Sequence, residues 1–209
     1  MTQIFWLGCM AICLCCETAS AQYPEVSEEP YHKPIFEHGC FRYLSVRANP
    51  GDTTGYHVHR NPILYLTIQG TEVWLDDAGR EPRTAALKTG WVGSDGYENG
   101  DTLLHRFAAI GDTPLSIVAV ERIGPCTNFD HPPSDPFYQK HGFSVYSMDW
   151  ATYIDGGYFE QVAAVVPPFP IYREGWATYG AGYVIKPSDK GYMPAPGVEV
   201  VWIVVPNRP

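Results

Sequence analysis

Basic residues are scarce in this chain: 14 Lys and Arg stand against 23 Asp and Glu, a formal charge of −9. An acidic surface offers nothing to nucleic acid or to an anionic membrane, so neither partner is expected. None of the five asparagines (Asn49, Asn61, Asn99, Asn128, Asn207) opens an N-x-S/T acceptor, so nothing calls for N-glycosylation. There is no G-x-S-x-G elbow, no phosphate-binding P-loop and no dinucleotide fingerprint. Long apolar runs are missing too. The longest, Ile4 to Cys16, falls short of the about 20 residues that span a bilayer. No long segment has a clear 3.6-residue period, so helices are not expected to build the core.

The short apolar run at the start is followed by Ala19-Ser20-Ala21, an A-x-A cleavage pattern. Residues 1–21 therefore read as a signal peptide, although Met1-Thr2-Gln3 carries no basic residue. Cleavage after Ala21 removes one acid, Glu17, and leaves residues 22–209, enough for a domain with a full core. The expected destination is secreted or periplasmic, with no membrane partner once the signal is gone. Four of the six cysteines leave with the signal. Cys40 and Cys126 remain, without a C-x-x-C partner, and in an exported chain two cysteines suggest one disulfide; two separate thiols are the alternative.

What is present is mostly β signal. Short apolar runs lie between scattered Gly and Pro. Phe41–Ala48 is a strand candidate closed by Asn49-Pro50-Gly51-Asp52, and Ile63–Gln69 is closed by Gly70. Glu72–Leu75 runs to a turn at Asp76-Asp77-Ala78-Gly79. Leu115–Arg122 is apolar through its middle, as in a strand buried on both faces, and Val198–Val205 has the same character. Such spacing predicts an all-β sandwich or barrel. The Pro-rich stretch 128–137 reads as a linker between a first unit, 22–127, and a β-rich segment, 138–209. A faint echo crosses it: His38-Gly39-Cys40-Phe41 resembles His141-Gly142-Phe143. In that register His57 and His59 fall opposite Phe159 and Gln161, so the second segment reads either as a degenerate half-repeat or as a chance match.

Gly55-Tyr56-His57-Val58-His59 places two imidazoles one residue apart, hence on one face of a strand. His105, in Leu103-Leu104-His105-Arg106-Phe107, could close a metal site from a neighbouring strand. With Gly51 before the histidines, Gly70 after them and Gly111-Asp112-Thr113-Pro114 after His105, residues Phe41–Glu121 resemble the cupin superfamily. The resemblance implies a jelly-roll β-barrel, with the C-terminal segment completing or dimerising it. It also implies a metal held by His57, His59 and His105. Two positions depart from the pattern: Ile63 stands where a Glu ligand is expected, and Ala109 where an Asn is expected. Three neutral imidazoles would leave a divalent ion with its full charge and more open positions. Iron, zinc, nickel or copper would suit such a site, and the thiol-dioxygenase branch of the cupins likewise lacks the Glu.

Secondary candidates follow. Tyr65 shares the parity of the histidines and could supply a catalytic phenol. Tyr56 should point to the opposite face and pack. Arg60 and Arg106 read as rim or ion-pair residues, or as anchors for a substrate carboxylate. Glu72 or Glu98 could replace the missing carboxylate. His32, His38, His131 and His141 read as surface residues. The leading functional expectation is a metal-dependent, dioxygenase-like enzyme on a small organic molecule, forming a homodimer if the C-terminal segment dimerises the barrel. The alternative is a non-catalytic, metal-free binding barrel whose apolar cavity Ile63 enlarges.

Overall fold

The computed structural model describes residues 23–97, 100–127, 129–168, 170–173, 176–179, 182–187, 189 and 200–207. Residues 1–21, expected from the sequence to be a signal peptide, and Glu98 lie outside the described residues. A 3-10 turn, Val26–Glu28, leads into β1 (His32–His38), β2 (Phe41–Ala48), β3 (His57–His59), β4 (Ile63–Gln69) and β5 (Glu72–Asp77). These are followed by β6 (Arg83–Ala86), β7 (Val92–Asp95), β8 (Leu103–Ala109) and β9 (Leu115–Arg122). Beyond the Pro-rich stretch come β10 (Tyr138–Lys140), β11 (Phe143–Asp149), α1 (Trp150–Asp155), α2 (Tyr158–Gln161) and β12 (Ala164–Val166). The remaining described strands are β13 (Pro170–Arg173), β14 (Trp176–Tyr179), β15 (Tyr183–Ile185) and β16 (Val200–Pro206).

Two antiparallel sheets make the jelly roll of the first unit. One has the order β1-β2-β9-β4-β7, the other β3-β8-β5-β6. Period-two alternation decides which side chains each sheet turns inward. Leu44, Val46, Ala48, Ile63, Ile117 and Ala119 from the first sheet meet Val73, Phe107 and Ala109 from the second, forming the inner core. The intervening residues Tyr43, Leu64, Leu66, Val118 and Val120 face the other way and are also buried. The apolar middle of β9 is therefore covered on both faces, as its composition predicts.

The cover comes from the C-terminal segment. A sheet of order β10-β11-β16-β12-β15 packs Phe143, Val145, Ala163, Val165 and Val204 onto the outer face of the first sheet. Its own far face, carrying Ile203 and Val205, is closed by Tyr153 and Tyr158 from the two short helices. Asp149 starts α1 by accepting the Thr152 N–H at 2.9 Å, a side-chain cap on an otherwise unpaired donor. Phe159 and Gln161 are helical while His57 and His59 lie on a strand, so the register of the internal echo does not extend to the backbone.

Several strands match their sequence-based bounds. Two departures matter for function. β5 runs on through Asp76 and Asp77, which read as turn residues, and the turn begins only at Ala78. Pairing with β8 holds both residues extended. Second, the β4–β5 corner is tight because Gly70 lies against the 87–88 backbone, where a Cβ would overlap the Leu87 carbonyl oxygen.

Cys40 and Cys126 form a disulfide that closes a loop of sequence separation 86. It ties the start of β2 to the chain leaving β9, at the junction of the two units. Replacing both cysteines by Ser should lower unfolding stability by about 4 kcal/mol on the chain-entropy account. Urea denaturation with and without reductant checks this, and an unchanged midpoint would show that the bridge restrains nothing in the unfolded chain.

Candidate metal centre

β8 is the strand on which the site is assembled. It pairs with β3 on one side, placing His57 opposite His105 and His59 opposite Leu103. It pairs with β5 on the other, placing Asp77 opposite His105. His57, His105 and Asp77 thus form one row across three strands, with His59 two residues further along β3 on the same face. The ring centres are 4.6 Å apart for His57 and His105, 4.8 Å for His59 and His105, and 5.1 Å for His57 and His59. One nitrogen from each ring lies within 4.8 Å of the others. The three histidines named from the sequence are brought together.

Hydrogen bonding makes these rings suitable ligands. His57 Nδ1 donates to the Gly55 carbonyl at 3.0 Å, which leaves Nε2 with a free lone pair. That buried Nε2 has no protein partner. The Nε2 atoms of His59 and His105 face each other at 3.0 Å, a contact that needs either a proton or a cation between them. Burial and the neighbouring imidazoles depress all three: His57 to about 4, His105 to about 3, and His59 well below its usual value. Neutral rings with converging nitrogens, among which His57 Nε2 and His59 Nδ1 are buried and unpartnered, fit a divalent transition ion.

The cluster opens onto a cavity of about 230 Å³. Its walls are mostly apolar, from residues such as Val73, Leu75, Phe107 and Ile117, with His32, Tyr65, Asp77 and Arg83 as polar members. Tyr65 lines the cavity, but from β4 in the opposite sheet; the strand breaks after His59, so shared parity with the histidines is not what places it there. Burial, with Tyr97 and the Asp95 and Asp77 carboxylates adding to it, raises its pKa well above the usual value, so it stays a neutral phenol. At the mouth a second hollow of about 460 Å³ is lined by Asp77, Arg80, Arg83, Asp95 and Tyr97. A wider cleft of about 710 Å³ lies beside the disulfide, around Cys126, Phe129 and His131, away from the histidine cluster.

Other expectations need correction. Ile63 does not line the cavity; it is fully buried in the inner core. Glu72 is exposed on β5 and supplies no carboxylate. A carboxylate beside the cluster is Asp77, whose Oδ1 is 3.8 Å from His105 Nδ1, while its Oδ2 is held by Arg83. Arg60 pairs with Glu25 at 2.7 Å and Arg106 with Asp76 at 2.9 Å, so ion pairing describes both. Tyr56 packs on the opposite face as expected, under Arg106 and bonded to Asp76. Arg80 and Arg83, which carried no sequence signal, are the arginines at the mouth.

The surface reading of the remaining histidines also fails. His38, His131 and His141 are half-buried; His38 bonds the Gln161 carbonyl at 2.8 Å and His141 bonds Ser94. His32 is buried outright and stands beside the cluster, its ring centre 4.5 Å from that of His57. Its Nδ1 bonds Glu29 at 2.7 Å. Burial alone would raise the Glu29 pKa, but the His32 bond and charge and the backbone N–H groups of Tyr31 and Gly55 outweigh it, leaving a lowered value. The N-terminal segment reaches this place because Pro24 accepts the Val58 N–H at 2.9 Å and Glu25 bridges Val58 in parallel. No local pattern around His32 could have announced it.

The two facing antiparallel sheets of residues 32–122 make a jelly roll, with the three histidines brought together by its shorter sheet. No family model matches the chain, and no curated protein matches it. Among solved structures it is similar to a cupin domain protein from Bordetella pertussis Tohama I, at 17% identity and a TM-score of 0.39, covering 48% of this chain and 95% of that one. It is also similar to an RmlC-like cupin family protein with a double-stranded β-helix fold from Methanocaldococcus jannaschii, at 13% identity and a TM-score of 0.36, covering 44% of this chain and 78% of that one.

The depressed histidines set an acid sensitivity in the metal-free protein. The unfolded chain takes up protons below about pH 6.5 that the folded cluster refuses until about 4 or lower. Stability should therefore fall as pH drops from 6.5 to 5, by up to about 1.4 kcal/mol per pH unit for each histidine. Urea midpoints of the wild type and of His57→Gln with His105→Gln check it. The double variant should show the shallower slope, and equal slopes would remove the cluster as the cause.

Proposed function

We propose that this chain is an exported, metal-dependent cupin-type enzyme, dioxygenase-like in class, acting on a small organic molecule. The observation that carries the reading is the convergence of three neutral imidazoles, two of them with a buried unpartnered nitrogen, beside an apolar cavity. His57, His59 and His105 would hold the ion. A divalent iron, copper, nickel or zinc bound there would supply Lewis acidity, and with iron or copper redox capacity, at its open positions. The disulfide accords with an oxidising compartment.

The chain's own residues set what can enter. A cavity of about 230 Å³ is smaller than the roughly 300–1,000 Å³ of sites for drug-sized ligands, so the substrate is compact. Apolar walls exclude water and receive the substrate's hydrocarbon part. Tyr65, held neutral and lining the same cavity, would be the phenol that donates a hydrogen bond to the substrate. Arg80 and Arg83 stand at the mouth among the carboxylates of Asp77, Asp95 and Asp101, and both pair with Asp77, so the entrance is polar without a net positive charge.

The predominantly apolar wall favours a second reading, a metal-free barrel that binds a small apolar ligand. Metal content separates the two. The mature protein should take up about one equivalent of transition metal and gain thermal stability, about 2.7 kcal/mol at a hundredfold excess over Kd. His57→Ala with His105→Ala should abolish the gain, whereas Tyr65→Phe should keep it. Less than about a tenth of an equivalent bound, with no shift on adding metal, would leave the binding-barrel reading standing.

A further inference from the structure

The resemblance places a carboxylate ligand at position 63, and the chain has Ile63 there, turned into the inner core. A histidine from outside the motifs stands beside the cluster instead. His32 opens β1, is 4% exposed and lines the same cavity as His59 and His105. Its ring centre lies 4.5 Å from that of His57 and 6.3 Å from that of His59. Glu29 accepts its Nδ1–H, which leaves Nε2 with the lone pair. Glu29 is itself fixed by the N–H groups of Tyr31 at 2.8 Å and Gly55 at 3.2 Å. A carboxylate gripping the far nitrogen of an imidazole is the arrangement found behind metal-binding histidines: it orients the ring and makes it more basic.

Glu29, His32 and His57 also form a compact group of their own. A second ion among them is disfavoured, because Glu29 already accepts from three donors and His57 Nδ1 is spent on Gly55. Resting on the metal reading above, the geometry points to His32 as a fourth nitrogen ligand of the ion, held by Glu29 and serving where Ile63 does not. Its ring groups with Glu29 and His57 rather than with His59 and His105, so ligation would need the ring to turn toward those two while keeping its Glu29 bond. Glu29 then supplies, one bond removed, the negative charge that three neutral imidazoles lack.

The test loads the mature protein with one equivalent of Cu²⁺ and counts coordinated histidines by pulsed electron paramagnetic resonance. The wild type should show four and His32→Ala three. Chelator competition should show at least a ~10-fold weaker Kd for His32→Ala. Imidazole added to His32→Gly should restore the four-nitrogen spectrum. Three histidines in the wild type would overturn the inference and leave the metal reading intact; no copper bound by the wild type would overturn both. The wild-type count needs no variant, so a His32 variant that fails to fold does not leave the question open.

Discussion

The register of β3 on β8 is the constraint on which the site depends. Side chains in a strand alternate with a period of two, so a slip of one residue would turn His57 and His59 out of the cavity and bring Val58 in. β3 is only three residues long and cannot hold that register unaided. It is fixed from both sides: by β8, which sets His57 opposite His105, and by the N-terminal segment, where Pro24 and Glu25 pair with Val58. The same N-terminal pairing brings Glu29 and His32 to the cluster. One short strand therefore couples the ligand row to its supporting carboxylate.

The opposing sheet gives that row a rigid floor. β4 and β9 are buried on both faces, inward against the sheet that carries the histidines and outward against the C-terminal sheet. Removing several large aliphatic side chains from water on each face is the dominant stabilising contribution. The disulfide ties the start of β2 to the chain that passes from β9 toward the C-terminal segment.

Much of the fold was legible because it rests on local pattern. β2, β4 and β9 have the bounds that their apolar runs and closing turns indicate. His57, His59 and His105 were legible because spacing within a strand and one recurring motif suffice to nominate them. Asp77 was not. Asp-Asp-Ala-Gly has turn composition, and only pairing with β8 extends the strand through it. Arg80 and Arg83 acquire meaning only from their place at the mouth.

His32 marks the boundary most clearly. Nothing in Tyr31-His32-Lys33-Pro34 distinguishes a buried cavity residue from a surface one, and the residues it meets lie 25 and 27 positions further on. The sequence by itself determined the alternation, the turns, the pair of cysteines and the three imidazoles, since each is a property of neighbouring residues. Only the tertiary structure decided that Ile63 belongs to the core, that Asp77 closes the histidine row, and that Glu29 and His32 stand behind His57. Those assignments depend on which strands pair and in what register, and long-range pairing is set by the burial of whole sheet faces rather than by any local run of residues.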